Sequence, residues 1–221
     1  MRLLRRLLAI MLLATSCATM AGDIVKAPDL GAFYSPLSSG GSFTYANSFV
    51  APDSGAVSGL GFWLRGGASE LQFKVFGSIG GNSSLGPDSS NVLASTGVLP
   101  GQVYNDLTFV GITSGIASGL LVAGQTYWFA ATTVGLGGTG EYTAGGHTQN
   151  SGGIVDNGTF RYSNDPTGAV FGGMNFTPEM AFSVSVVPES SRTGTLALGL
   201  GLVGLLAARR RSGDGKPPKI R

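Results

Sequence analysis

Histidine occurs once in the 221 residues, as His147 in Gly145-Gly146-His147-Thr148, and cysteine once, as Cys17. One imidazole without a thiolate cannot build an ordinary zinc site, and no serine stands in a Gly-x-Ser-x-Gly elbow. A His147–Asp156 pair therefore has no marked nucleophile to serve. Glu70, Glu141 and Glu179 could supply the two carboxylates of a glycosidase, but nothing in the spacing sets any two about 5–10 Å apart. Asp53, Asp88, Asn91, Asp156, Asn157, Asn164 and Asp165 offer oxygen ligands, yet their spacing does not match a calcium loop of about twelve residues. Turn formation by Asx side chains is the first reading of them, and a structural calcium ion the alternative. No other metal site and no cofactor is expected. Trp63 and Trp128 sit inside apolar runs. Burial is the default for such rings, and a sugar-stacking platform is the sharper alternative.

The elements that must position these residues come in three parts, which the charges separate. Residues 1–21 carry Arg2, Arg5 and Arg6 and no acid, a net +3. Residues 22–187 hold four basic side chains against ten acidic ones, a net −6. Residues 188–221 hold seven basic side chains against Glu189 and Asp214, a net +5. The overall +2 is thus a property of the two ends. An acidic central segment excludes a phosphate-backbone partner, so no nucleic acid is expected.

At the N-terminus the three arginines precede Leu7–Ala14 (LLAIMLLA), and Thr19-Met20-Ala21 offers a small-x-small site before Gly22. That order predicts a signal peptide over 1–21, cleaved between Ala21 and Gly22. The apolar run is shorter than the about 17–25 residues that span a bilayer. Cys17 follows Leu13-Ala14-Thr15-Ser16, which faintly resembles the box before a lipidated cysteine, with alanine where leucine is usual. The plainer reading is that Cys17 leaves with the signal, and the mature chain then has no disulfide.

At the C-terminus Val187-Pro188-Glu189-Ser190 leads into an uncharged run over 193–208, and Arg209, Arg210 and Arg211 follow at once. The apolar run reads as a single helix. Sixteen residues at about 1.5 Å each reach roughly 24 Å, short of a hydrocarbon core of about 30 Å, a gap that snorkelling arginines narrow. The arginine cluster predicts a cytoplasmic end by the positive-inside rule, which leaves the central segment outside the inner membrane. This tail resembles the PEP-CTERM sorting signal of Gram-negative, mostly exopolysaccharide-producing bacteria. Pro188 and Glu189 fit the first two motif positions, while Ser190 stands where the family usually has a second proline. The resemblance implies processing by an exosortase, a membrane transpeptidase-like enzyme. The protein would be held in the inner membrane by its helix before cutting, then reach the cell surface or medium. An ordinary C-terminal anchor is the alternative.

Between the ends, period-two alternation recurs and helical spacing does not. Leu71, Phe73 and Val75 share one face, Phe182, Val184 and Val186 another, and further runs are Phe43–Val50, Val57–Leu64, Val103–Val110 and Thr126–Thr132. Turn chemistry separates them, as in Pro52-Asp53-Ser54-Gly55 and Gly80-Gly81-Asn82. Many short strands so punctuated predict an all-β sandwich or barrel over 40–187, after a linker over 22–39. Residues 133–179 read as long loops with a few short strands. Asn47-Ser-Phe-Val-Ala-Pro, Val57-Ser-Gly-Leu-Gly-Phe-Trp, Leu71-Gln-Phe-Lys-Val-Phe and Leu121-Val-Ala-Gly-Gln-Thr-Tyr-Trp-Phe together resemble the choice-of-anchor ectodomains. That resemblance implies a jelly-roll-like β-sandwich without known activity.

The expectation is an exported surface or extracellular-matrix protein that is not an enzyme. Its sorting motif is Val187, Pro188, Glu189 and Ser190, and its partner an exosortase-type enzyme. A carbohydrate-binding module for exopolysaccharide, using Trp63 or Trp128, is the alternative. A weak hydrolase comes third.

Overall fold

The computed structural model describes residues 22–28, 33–38, 44–147, 160–163, 170–173 and 179–189. The signal segment, Ser190, the apolar run and the arginine cluster lie outside the described residues. The strands are β1 (Gly22–Lys26), β2 (Phe33–Ser38), β3 (Thr44–Val50), β4 (Gly55–Gly66) and β5 (Gln72–Ser78). Then come β6 (Pro87–Ser95), β7 (Tyr104–Ile112), β8 (Ala117–Ser118), β9 (Leu120–Leu121) and β10 (Thr126–Thr132). The last are β11 (Glu141–His147), β12 (Phe160–Ser163), β13 (Gly172–Gly173), β14 (Glu179–Met180) and β15 (Phe182–Pro188). Two single 3-10 turns, Ile79–Gly81 and Ser83–Leu85, are the only helical pieces among the described residues.

One sheet of eight strands runs β1-β15-β4-β11-β14, with β2 on β11 and β7 and β9 on β4. The other, of seven, runs β13-β12-β3-β10-β5-β6-β8. The long β4 carries β15 and then β11 along one edge, and β9 and then β7 along the other. Every pairing is antiparallel, and the two sheets form a sandwich-like all-β fold.

The core follows from the alternation. Leu60, Phe62 and Leu64 on β4 and Phe182, Val184 and Val186 on β15 point inward from one sheet; Phe49, Phe73, Val75 and Phe129 meet them from the other. Phe129 stacks on Phe182 at 5.1 Å and packs against Phe62 at 5.7 Å and Phe73 at 5.8 Å. This aromatic layer joins the sheets, since flat rings bury much area at little rotamer cost. Asn47, also inward, accepts the Met180 N–H on Oδ1 at 3.3 Å and donates from Nδ2 to the Ser48 carbonyl at 3.2 Å. A buried amide so bonded links β3 to β14 across the core, and its wholly buried side chain is satisfied.

Three departures from the sequence reading stand out. Residues 22–39, expected as a linker, supply β1 on the free edge of β15 and β2 on β11. Ile24 packs against the core while Asp23 and Val25 face out, so the alternation is there, in only five residues. The loop-like stretch 133–179 contributes β11, which pairs with three other strands. Finally, β15 runs one residue past the expected domain end at 187, so that Pro188 forms its last rung, opposite Gly55. A ladder accepts proline at its end, where the missing N–H interrupts nothing further. A Cβ on Gly55 would fall on the Val187 carbonyl, so only glycine lets the chain close this tightly.

Candidate functional site

Cross-strand partners share a face, so register alone draws the outer surface of the β4 sheet. One outward row holds Val25, Ser183, Gly61 and Gly111, and the next pairs Trp63 with Phe109. The Trp63 and Phe109 rings lie 4.5 Å apart, centroid to centroid. Phe109 leans back over the glycine row. A Cβ on Gly61 would strike its ring, and one on Gly111 would come within 2.7 Å of it. Two glycines therefore make a bare floor on which an aromatic ring rests, leaving Phe109 47% exposed.

The shelf has defined edges. Trp63 is half-buried, with its Cβ 3.1 Å from where a side chain on Gly145 would begin, and Leu107 and Pro28 close the same spot at 3.3 Å. Along the other edge Ser185 and Thr113 flank Gly59, and Ser183 lies opposite Gly61. Arg65, exposed and opposite Thr143, is two residues further along β4. The surface is thus an apolar pair of rings tilted 47° to each other, rimmed by hydroxyls and one guanidinium. Exposed rings beside hydroxyls have the chemistry to stack on the C–H face of a sugar ring and to hydrogen-bond its oxygens.

Trp128 is not part of it. Its ring lies on the outer side of the other sheet, wholly buried in a second small core with Ala46, Phe76 and Ala130, against which Phe171 packs. Its Nε1–H donates to Ser78 Oγ at 3.2 Å, and that hydroxyl donates to the Thr126 carbonyl at 3.1 Å. A ring with no exposed edge cannot stack on a glycan, so the assignment of Trp128 to glycan contact is corrected to a structural one. Phe109 takes its place beside Trp63. No sequence signal marked Phe109, because its partner is fixed by a pairing 46 residues away.

The other chemical candidates disperse. Glu70 accepts the Gly137 N–H at 2.8 Å and so braces a loop. Glu141 is exposed at the start of β11, and the backbone of Glu179 lies opposite that of His147. Asp156, Asn157, Asn164 and Asp165 lie outside the described residues. Asp88 closes a local turn by accepting the N–H and the hydroxyl of Ser90 at 3.1 and 2.6 Å. Among the described residues no group of three or more His, Cys, Asp or Glu is placed to hold a metal ion. Shifted proton affinities fall away from the shelf. Burial, and then the neighbouring Tyr162, pushes Tyr45 up to about 12; burial and Tyr142 raise Tyr104; burial lowers Lys74.

In the motif at the C-terminal end, Val187 pairs with Ala56 and Pro188 with Gly55, and the compact unit closes at Pro188. Glu189 is exposed. Comparison with protein-family models and with curated protein sequences returns no match.

Proposed function

We propose that this chain is an exported surface or extracellular-matrix protein, delivered by its signal segment and sorted through a PEP-CTERM-like tail that an exosortase-type enzyme cuts. The ectodomain is non-catalytic in this reading. The observation that carries it is the position of the domain's last rung. The ladder ends at Pro188, within the motif, and everything beyond Glu189 is the apolar and basic tail. A processing enzyme then meets a folded body with its recognition sequence at the boundary. Mass spectrometry of the protein from its native host tests this. The expected product lacks residues 1–21 and the arginine cluster and ends at or after Glu189, because Val187 and Pro188 are held in the sheet. A product that keeps Arg209–Arg211, or one that ends before Val187, overturns it.

The sandwich is read as jelly-roll-like, in keeping with the choice-of-anchor resemblance. The support is that β3, β4, β5 and β10 lie on the four stretches carrying that resemblance.

The Trp63–Phe109 shelf favours a second reading, a carbohydrate-binding face for exopolysaccharide. Replacing Trp63 or Phe109 with alanine should weaken binding to the host's polysaccharide by about two-fold to about ten-fold, since one aromatic contact contributes about 0.5–1.5 kcal/mol beyond its area. Trp128→Phe should leave affinity unchanged. Titration calorimetry against the purified polysaccharide decides, and equal affinity in all four proteins removes the shelf from consideration.

A further inference from the structure

Gly22 stands opposite Val186 at the free end of β1. A Cβ built there would run into the Asp53 carboxylate, with Pro52 Cγ at 2.8 Å. A side chain at this position would have to push the Asp53 carboxylate and the Pro52 ring aside. The turn that forms it is braced from behind: Ala51 donates to the Gln125 carbonyl at 3.0 Å, Gly124 donates to the Ala51 carbonyl at 2.9 Å, and Ala123 donates to Ser54 Oγ at 2.9 Å. Asp53 is half-buried, and the brace fixes the backbone on either side of it, at Ala51 and Ser54.

We propose that this seat receives the protein's own processed N-terminus. The α-ammonium freed at Gly22 pairs with the Asp53 carboxylate and pins β1 to the sandwich. The inference rests on the reading of residues 1–21 as a cleaved signal. Hydrolysis adds water across the Ala21–Gly22 amide: the oxygen goes to the new Ala21 carboxylate, and the Gly22 nitrogen becomes an ammonium. Before the cut that nitrogen is a neutral amide; afterwards it carries a full charge on the Cα that Asp53 already crowds. The other charged groups on β1 are Asp23, which is exposed, and Lys26 at the far end of the strand. An edge strand of five residues has few rungs, so an ion pair at its free end matters to its docking.

Pairing keeps the ammonium protonated to higher pH, so its contribution to stability is complete below the unfolded amine's value of about 7.7–8.0 and is lost as pH rises through the higher folded value. A protonated amine does not acylate. The test follows the acylation rate of the Gly22 amine at pH 7.5 in the chain 22–221, read by mass spectrometry of the N-terminal peptide. The wild-type amine should react on the order of three-fold more slowly than in Asp53→Asn, the reach of a solvent-exposed pair. The difference should vanish in denaturant. Gly22→Ala, whose methyl has no room in the seat, should react like Asp53→Asn. Equal rates in wild type and Asp53→Asn overturn the seat. Sequencing the exported protein separates the two halves: a native terminus other than Gly22 overturns the cleavage reading, whatever the acylation rates are.

Discussion

Phe129→Ala lowers the unfolding free energy by about 3–5 kcal/mol, the range for deleting a fully buried phenylalanine. The reason lies in its neighbours. Phe129 touches the rings of Phe182 and Phe62 across the core and of Phe73 beside it. Strands on both sheets hold the rings in place, so the cavity cannot collapse by moving one side chain. Domains of this size have about 5–15 kcal/mol in hand, so the variant sits near the edge of folding. Urea titration of the chain should show the loss as a lower midpoint at unchanged slope. Phe109→Ala, on the open shelf, should change the midpoint far less. Equal losses at the two positions would mean that the aromatic layer does not join the sheets.

The second large effect is on location. In the proposed sorting reading, replacing Arg209, Arg210 and Arg211 with glutamine should leave export intact and mislocalise the protein, because the basic cluster next to the apolar run is gone and only Lys216, Lys219 and Arg221 remain beyond it. If the motif is read as proposed, Glu189→Ala should leave an uncut, membrane-held form. Glu189 is exposed, just past the final rung, so its loss removes a recognition group without touching the core. Fractionation and immunoblotting of both variants provide the measurement. Should both reach the surface in the same processed form as the parent, the sorting reading gives way to a plain anchor.

Much of the fold was legible because several strands announce themselves locally. Thr126–Thr132 matches β10 at both ends, and the alternations around Phe73 and Phe182 mark the inward faces of β5 and β15. What alternation cannot say is whether the opposite face is covered. Trp128 alternates with Phe129, and its side of the strand is buried too, under a second apolar cluster that period two does not foretell. Trp63 has the same local look and lies half open. The difference is set by loops and strands far away in the chain. For the same reason the Val103–Val110 run was recognisable as a strand, but Phe109 was not recognisable as half of an aromatic pair until β7 was laid against β4. The edge strand β1 was missed because five residues before a proline-containing connection give too short a pattern.

The position of β15 has a mechanical consequence. It lies between β1 and β4 and is paired with β4 along its whole length, up to Pro188. A pull on Pro188 along the axis of β15 would load the strand in shear. Antiparallel rungs lie perpendicular to that pull, so they share it and must break together, whereas a strand peeled from its end loses them one at a time. The end of this strand therefore holds best against a pull along its own axis.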